Sequence, residues 1–255
     1  MHDVEDEYGD ADDYRPSDEV QMFELVDGLT SLHMLADDLF LRMQVTNLAL
    51  VDQFIMGLED EVRAKLFADE RTPSETYFLS AQTQMWIFAA YELLRTWRER
   101  AAEVLKLAKN GGLELKIKAL ERDRGYHHFG HEQFATQLRA VLADSTLLDK
   151  IREDQRVVYF PFSTLEHIRV ALAKHQVVGQ PNVAAYAPGY GRINKWCGAL
   201  DYELEADGMI FGTVNRRDIA DSVRALSDRS KVPTDEEIAD HRKMMKSLRR
   251  NLFKG

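Results

Sequence analysis

Apolar residues in the first part of the chain recur at steps of three and four, the spacing of one face of an α-helix. The pattern begins at Met22, and Ser17 precedes it as a suitable N-cap residue. These features predict one long amphipathic helix over residues 18–56, with a bend near Gly28. A short helix is predicted to follow over residues 59–68.

The strongest helical pattern covers residues 75–109. Apolar side chains occupy so much of its circumference that we expect this helix to lie at the centre of the core. Asn110-Gly111-Gly112 ends it, because Asn and Gly tolerate the left-handed conformation common at helix C-termini. We predict one broad apolar face, formed by Phe78, Ala81, Met85, Phe88, Ala89 and Trp97 and widened by Trp86, Ile87, Tyr91, Leu93 and Leu94.

Shorter elements are predicted in the middle of the chain. Helical spacing indicates helices over residues 113–121, 132–143 and 145–155. Residues 157–162 form a short apolar run that we interpret as an extended segment. Ser163 and Glu166 then match a capping box, which predicts the start of a helix that continues to about residue 174.

The C-terminal part predicts a β-hairpin. Residues 200–206 alternate apolar and polar side chains, and a second apolar run, 209–214, follows Asp207-Gly208. This pattern is typical of two antiparallel strands joined by a type I′ turn. The predicted fold class is therefore mainly α: a bundle of long helices with a small C-terminal antiparallel β-hairpin, and without a parallel α/β sheet.

Two more helices complete the prediction. Asn215 is placed to cap a helix over residues 216–226, and Thr234 opens a capping box for a last helix that reaches about residue 252. The chain then divides into a disordered acidic tail (1–17), a helical bundle (18–179), a loop, hairpin and helix packed on the bundle (180–227), and a basic C-terminal helix (228–255).

Charge is concentrated at the two ends of the chain. Nine acidic residues and one arginine within residues 1–20 account for −8 of the net charge of −10, whereas residues 241–255 hold six basic residues and no acidic one. Opposite charges could bring the two ends together. Cys197 is the single cysteine, which favours a reducing cytoplasm, and no apolar run is long enough to cross a bilayer. We expect a soluble cytoplasmic protein that makes no membrane contact.

Sequence motifs of common enzyme and cofactor sites are absent. The chain has no GxxxxGK[ST], GxGxxG or GxSxG loop, no CxxC pair, and no histidine preceded by Glu at three residues' distance. We therefore expect no cofactor and no bound metal.

Polar chemistry is concentrated in residues 122–131, RDRGYHHFGH, which we call the histidine joint. Its side chains could cap and solvate a helix junction, the interpretation that we favour, since short motifs often match by chance. Alternatively, His127 and His131 have the spacing of metal ligands if the joint is helical. Arg124, His128 and His131 are the candidate binding residues of this segment.

A catalytic interpretation rests on Arg122-Asp123-x-x-x-His127, with a second match from Arg124 to His131. The spacing resembles the Arg–His motif of HEPN domains, helical modules of prokaryotic defence and toxin systems. The resemblance covers residues 75–145 and implies a dimeric helix bundle that cleaves RNA without metal. It implies that Arg122 holds the scissile phosphate and that His127 is the general acid or base.

A second candidate binding surface is the glycine- and aromatic-rich loop over residues 186–196. Tyr190, Arg192 and Trp196 are residue types that contribute strongly to ligand and partner surfaces, although packing of the loop would also explain them. The leading functional prediction is an interaction or regulatory protein of unassigned activity that forms a homo-oligomer through its aromatic-rich central helices and can bind a protein partner. The alternative is a HEPN-like ribonuclease, and only that alternative requires RNA.

Overall fold

The computed structural model describes residues 14–123, 125–173, 191–206 and 209–251. The described part of the chain is 74% helical with a small three-stranded antiparallel sheet near the C-terminus, which confirms the predicted mainly α fold. None of the described helices has both the length and the apolar composition that crossing a bilayer requires. The helices are α1 (Met22–Thr30), α2 (Leu39–Asp69), α3 (Glu75–Lys109), α4 (Leu113–Leu120), α5 (Phe129–Ala143), α6 (Thr146–Val157), α7 (Tyr159–Ala173), α8 (Arg216–Arg224) and α9 (Asp235–Asn251). The strands are β1 (Arg192–Ile193), β2 (Leu200–Ala206) and β3 (Met209–Val214).

The two longest helices, α2 and α3, pack against each other in the centre of the core. Trp86 Nε1 of α3 donates a hydrogen bond of 3.2 Å to the Leu48 carbonyl oxygen of α2, and Phe54 lies against Phe78, so the helices run antiparallel. Trp86 and Trp97 are fully buried. The prediction that α3 is central to the core is confirmed.

The predicted apolar face of α3, however, points mostly in the wrong direction. Phe78 and Met85 are 50% and 64% exposed, and Ala81 and Ala89 are exposed as well. Because α3 is apolar on most of its circumference, periodicity alone could not select the buried side; packing against α2 and α7 selects it. The side that enters the core carries Leu79, Thr83, Trp86, Ile87, Ala90, Leu94 and Trp97.

The helix predicted over residues 18–56 is divided in two. α1 ends at Thr30, and α2 begins at Leu39 and continues without a break through the separately predicted helix 59–68. Tertiary hydrogen bonds hold the backbone of the interruption: the His33 N–H donates to Asp154 at 2.6 Å, and the His33 carbonyl accepts from Trp97 Nε1 at 2.8 Å. These partners lie far away in sequence, so local periodicity could not reveal them.

The start of the described chain also differs from the prediction. Residues 1–13 of the predicted acidic tail lie outside the described residues, but the last residues of that tail contact the helical body. Tyr14 Oη donates to Asp218 Oδ1 at 2.8 Å, and Arg15 forms an ion pair with Glu24 at 2.7 Å. Residues 17–19 form a 3-10 turn rather than the first turn of a long helix.

The prediction of an extended segment at residues 157–162 is wrong. α6 ends at Val157 and α7 begins at Tyr159, four residues before the predicted start at Ser163. The Phe162 N–H donates to the Val158 carbonyl at 3.0 Å, as in a helix. Val158 and Phe162 are buried, and a short apolar run of this kind fits a buried helix as well as a buried strand.

The predicted hairpin is confirmed, with one strand more than expected. β2 pairs with β3 from Tyr202 opposite Val214 to Ala206 opposite Met209, whereas the tip at residues 207–208 lies outside the described residues. The unpredicted strand β1 pairs with β2 and gives the order β1-β2-β3. The predicted capping roles of Asn215 in α8 and Thr234 in α9 are confirmed as well.

A buried ionic network joins α2 to α8. Arg216 Nε and Nη2 donate to the two carboxylate oxygens of Glu59 at 2.8 and 2.7 Å, and Arg216 also contacts Asp52. Arg224, about two helical turns further along α8, contacts the other oxygen of Asp52. Burial by itself would lower the pKa of Arg216, but the charges of Glu59 and Asp52 outweigh it and raise that pKa.

Two helical glycines provide a matched pair of stability variants. A Cβ at Gly28 of α1 would lie 2.3 Å from the Val223 carbonyl oxygen of α8, whereas a Cβ at Gly57 of α2 would meet nothing within 4 Å. We expect Gly28→Ala to destabilise the protein by about 1–3 kcal/mol through overpacking. Gly57→Ala should stabilise it by roughly 0.5–1 kcal/mol, because Ala is the better helix former. Urea denaturation measures both, and an unchanged stability of Gly28→Ala would contradict the close approach of α1 and α8.

Arg216→Met tests the ionic network. It leaves Glu59 and Asp52 buried without their principal partner, so we expect a loss of about 3–5 kcal/mol in the free energy of unfolding. Arg152→Met is the control, because Arg152 forms an exposed ion pair with Asp149 and should lose less than about 1 kcal/mol. Equal losses of unfolding free energy in the two variants would show that the buried network stabilises the protein no more than an exposed ion pair does.

Candidate functional site

The histidine joint connects α4 to α5 as a turn on the protein surface. Gly125 has a φ of +74°, and its N–H donates to Asp123 Oδ1 at 2.8 Å. Because α5 begins only at Phe129, His127 and His131 do not share one helical face. The geometry required by the metal-pair interpretation is therefore absent, and no three His, Cys, Asp or Glu side chains of the described chain are grouped as metal ligands.

His128 and His131 are engaged in the start of α5. His128 is the N-cap residue, and its Nδ1 accepts the His131 backbone N–H at 3.2 Å. The two imidazole rings are stacked with their centroids 3.7 Å apart and their planes 14° from parallel. The favoured interpretation of the joint, in which histidines cap a helix junction, is confirmed for His128.

The predicted catalytic pair lies on the exposed side of the joint. His127 Nε2 lies 2.9 Å from Glu132 Oε2, and these side chains are 73% and 63% exposed. Arg122 is exposed on the same connection, whereas Arg124 lies outside the described residues. The HEPN resemblance implies a motif at the start of a helix, but Gly125 places a left-handed turn between Arg122 and His127. The joint can offer an imidazole–carboxylate pair to a ligand at the surface.

The second predicted binding group is anchored by the small sheet. Arg192 stands in β1 and forms an ion pair of 3.5 Å with Glu203, so it is a strand residue rather than a loop residue. Trp196 is partly exposed, and its backbone carbonyl accepts from Arg63 of α2. Tyr190 lies outside the described residues.

The structure does not bring these two predicted groups together. The joint touches the N-terminal end of α2, where Phe129 packs against Phe40 with ring centroids 6.1 Å apart. Trp196 contacts α2 at Arg63, which lies about 34 Å further along the helix at 1.5 Å per residue. A single site formed by both groups is therefore excluded by distance.

A third candidate surface lies on the solvent-facing side of the aromatic-rich central helices, through which the sequence predicts self-association although it places Phe78 and Met85 in the core. Phe54 of α2 and Phe78 of α3 are both exposed, and their rings meet edge to face at 6.3 Å, so the exposed sides of the two helices are continuous. We call this surface the outer face; its large apolar side chains are Met43, Leu50, Phe54, Phe78 and Met85.

The outer face carries no charge. Residues 43–58 of α2 contain one charged residue, Asp52, which is buried in the ionic network, and residues 77–91 of α3 contain none. With about 16 residues of each helix, a rise of 1.5 Å per residue and helix axes roughly 10 Å apart, the face measures about 24 by 20 Å. Exposed apolar patches of several hundred Å² mark interaction sites in many soluble proteins.

Cys197 is not arranged for nucleophilic chemistry. Burial raises the pKa of its thiol to about 12, so it stays protonated at neutral pH.

The chain matches no protein-family model, no curated protein and no solved structure.

Proposed function

We propose that this protein is a non-enzymatic interaction protein that forms a homodimer through the outer face of α2 and α3. The observation that carries the proposal is the exposure of large apolar side chains over a surface without charge. Burial of such side chains against a partner is favourable, at about 25 cal/mol for each Å² of apolar area removed from water.

A second copy of the same chain fits this surface. A two-fold interface brings the same patch together from both subunits, so every charge on the patch lies near its own copy or a neighbour. A face without charge avoids that repulsion. Two antiparallel helices from each subunit would then form a four-helix layer with Leu50, Phe54 and Met85 in its interior.

The surroundings of the face agree with this proposal. Phe40 continues the apolar surface towards the joint, where it packs on Phe129. Asp52, the single acid of residues 43–58, is directed into the core by Arg216 and Arg224, so it does not oppose association. The buried, protonated Cys197 fits a reducing compartment, and we place the dimer in the cytoplasm.

Two charge substitutions test the dimer. Leu50→Glu and Met85→Glu introduce a carboxylate on exposed positions of the outer face, so the fold should tolerate them. In the dimer each new carboxylate would be buried without a partner. We therefore expect the dissociation constant of the dimer to increase by about 100-fold or more. Light scattering after size-exclusion chromatography measures the mass over a concentration series.

Leu115→Glu on α4 is the matched control, because Leu115 is exposed but lies outside the outer face. The wild type and this control should have the mass of a dimer and the two outer-face variants that of a monomer. A wild type that remains monomeric at every concentration, or outer-face variants that remain dimeric, would refute the proposal.

A second candidate function, RNA cleavage at the joint, is favoured by the arrangement of His127. Its imidazole contacts the Glu132 carboxylate at 2.9 Å, as a general base contacts an orienting group, and Arg122 is exposed five positions earlier in the same joint. Under this alternative, His127 would move the proton of the 2′-hydroxyl and Arg122 would hold the phosphate.

Cleavage of single-stranded RNA in the presence of a metal chelator tests this alternative. If it holds, His127→Ala and Arg122→Ala should each lower the rate by about 10²–10⁴-fold, whereas Lys118→Ala, an exposed cation on α4, should have no effect. Equal cleavage by all four preparations would indicate a contaminating nuclease, and no cleavage by the wild type would eliminate the alternative.

A further inference from the structure

A cleft of about 860 Å³ opens where α3, α6, α7 and α9 meet, away from the outer face. Its volume lies in the range of small-molecule sites. Five arginines line it against three carboxylates, although the chain as a whole has a net charge of −10. The arginines are Arg95, Arg98, Arg152, Arg156 and Arg242.

Three of the five guanidinium groups are already engaged. Arg95 forms ion pairs with Glu92 and Glu99 at 2.8 and 2.6 Å. Arg152 is paired with Asp149 at 2.5 Å. Arg156 donates two hydrogen bonds to a backbone carbonyl, that of Pro233, and lies 3.5 Å from Asp235.

Arg98 and Arg242 differ from these three. The Arg98 guanidinium lies 3.9 Å from the ring centroid of Phe162, and that of Arg242 lies 5.2 Å from the ring centroid of Tyr159. Neither is among the arginines that form ion pairs in the described part of the chain. Stacking on a ring fixes the plane of a guanidinium while its N–H groups can still donate.

The environment of Arg98 shows that its charge is only partly compensated. The side chain is half-buried, and burial lowers its pKa, whereas the charge of Glu166 acts in the opposite direction. A cation that is removed from water gains more from an anionic partner than an exposed one does, because the local dielectric constant is lower. The same cleft therefore favours a ligand with at least two negative charges.

We propose that this cleft binds a phosphorylated small molecule, whose phosphate oxygens accept hydrogen bonds from Arg98 and Arg242. A phosphate group carries close to two negative charges at neutral pH, which matches two guanidinium groups better than one carboxylate does. The planar guanidinium donates two parallel N–H bonds to phosphate oxygens, a geometry that an ammonium group lacks. The proposal is independent of dimer formation by the outer face, because none of the exposed apolar side chains of that face lines the cleft.

Titration of the full chain with inorganic pyrophosphate, followed by calorimetry at physiological salt, tests the proposal. We expect saturable binding that Arg242→Gln weakens by at least about tenfold, because charged hydrogen bonds are lost. Arg242 is exposed, so this variant should keep the wild-type melting temperature. Arg98→Lys keeps the charge but removes the planar fork, and a similar loss would identify Arg98 as a direct phosphate ligand.

Two controls make the result specific. Arg71→Gln removes an exposed arginine between α2 and α3 and should change the affinity by less than about twofold, since salt screens remote surface charges. Succinate offers two negative charges without phosphate and should bind more weakly than pyrophosphate. An absence of pyrophosphate binding, equal affinity of Arg242→Gln and the wild type, or preference for succinate would each overturn the proposal.

Discussion

The buried ionic network between α2 and α8 is the interaction on which the rest of the structure depends. Arg216 is fully buried and donates in bidentate geometry to Glu59, while Asp52 contacts both Arg216 and Arg224. Charges in the interior are stable only when they are paired and hydrogen-bonded, so these groups have to meet in one arrangement. The network therefore fixes how the C-terminal helix α8 is placed on the long helix α2, with Gly28 permitting the close approach of α1.

The same network shapes the surface on the opposite side of α2. Because Asp52, the single charged residue of positions 43–58, is drawn into the core, the outward positions of this stretch are left without charge. α3 supplies a second uncharged stretch beside them, and contact between Phe54 and Phe78 makes the two continuous. The interior electrostatics and the proposed dimer surface are thus two consequences of one arrangement of α2.

The candidate sites of the protein lie on separate parts of its surface. The joint displays an imidazole–carboxylate pair at the surface, and the Arg-lined cleft lies where four helices meet. The outer face contains neither feature. A protein that associates through one face and binds an anion in a cleft elsewhere could use each surface without blocking the other.

Much of the helical architecture could be predicted from the sequence, because it depends on local spacing. The boundaries of α3, the hairpin of β2 and β3, and the caps at Asn215 and Thr234 follow from patterns within a few residues. The failures occur where distant partners decide. Asp154 and Trp97 hold the interruption at His33, and burial of Val158 makes helical a run that also suits a strand.

For the candidate sites, the sequence by itself determined residue types and the absence of charge over residues 77–91, and it located the joint. It placed His127 and Glu132 five positions apart, but the contact between their side chains is a finding of the structure. Only the tertiary structure decided which side of α3 faces solvent, because an all-round apolar helix has no preferred side until α2 and α7 pack against it. It likewise decided that Arg98 and Arg242, 144 positions apart in the chain, line one cleft, because only helix packing brings such residues together.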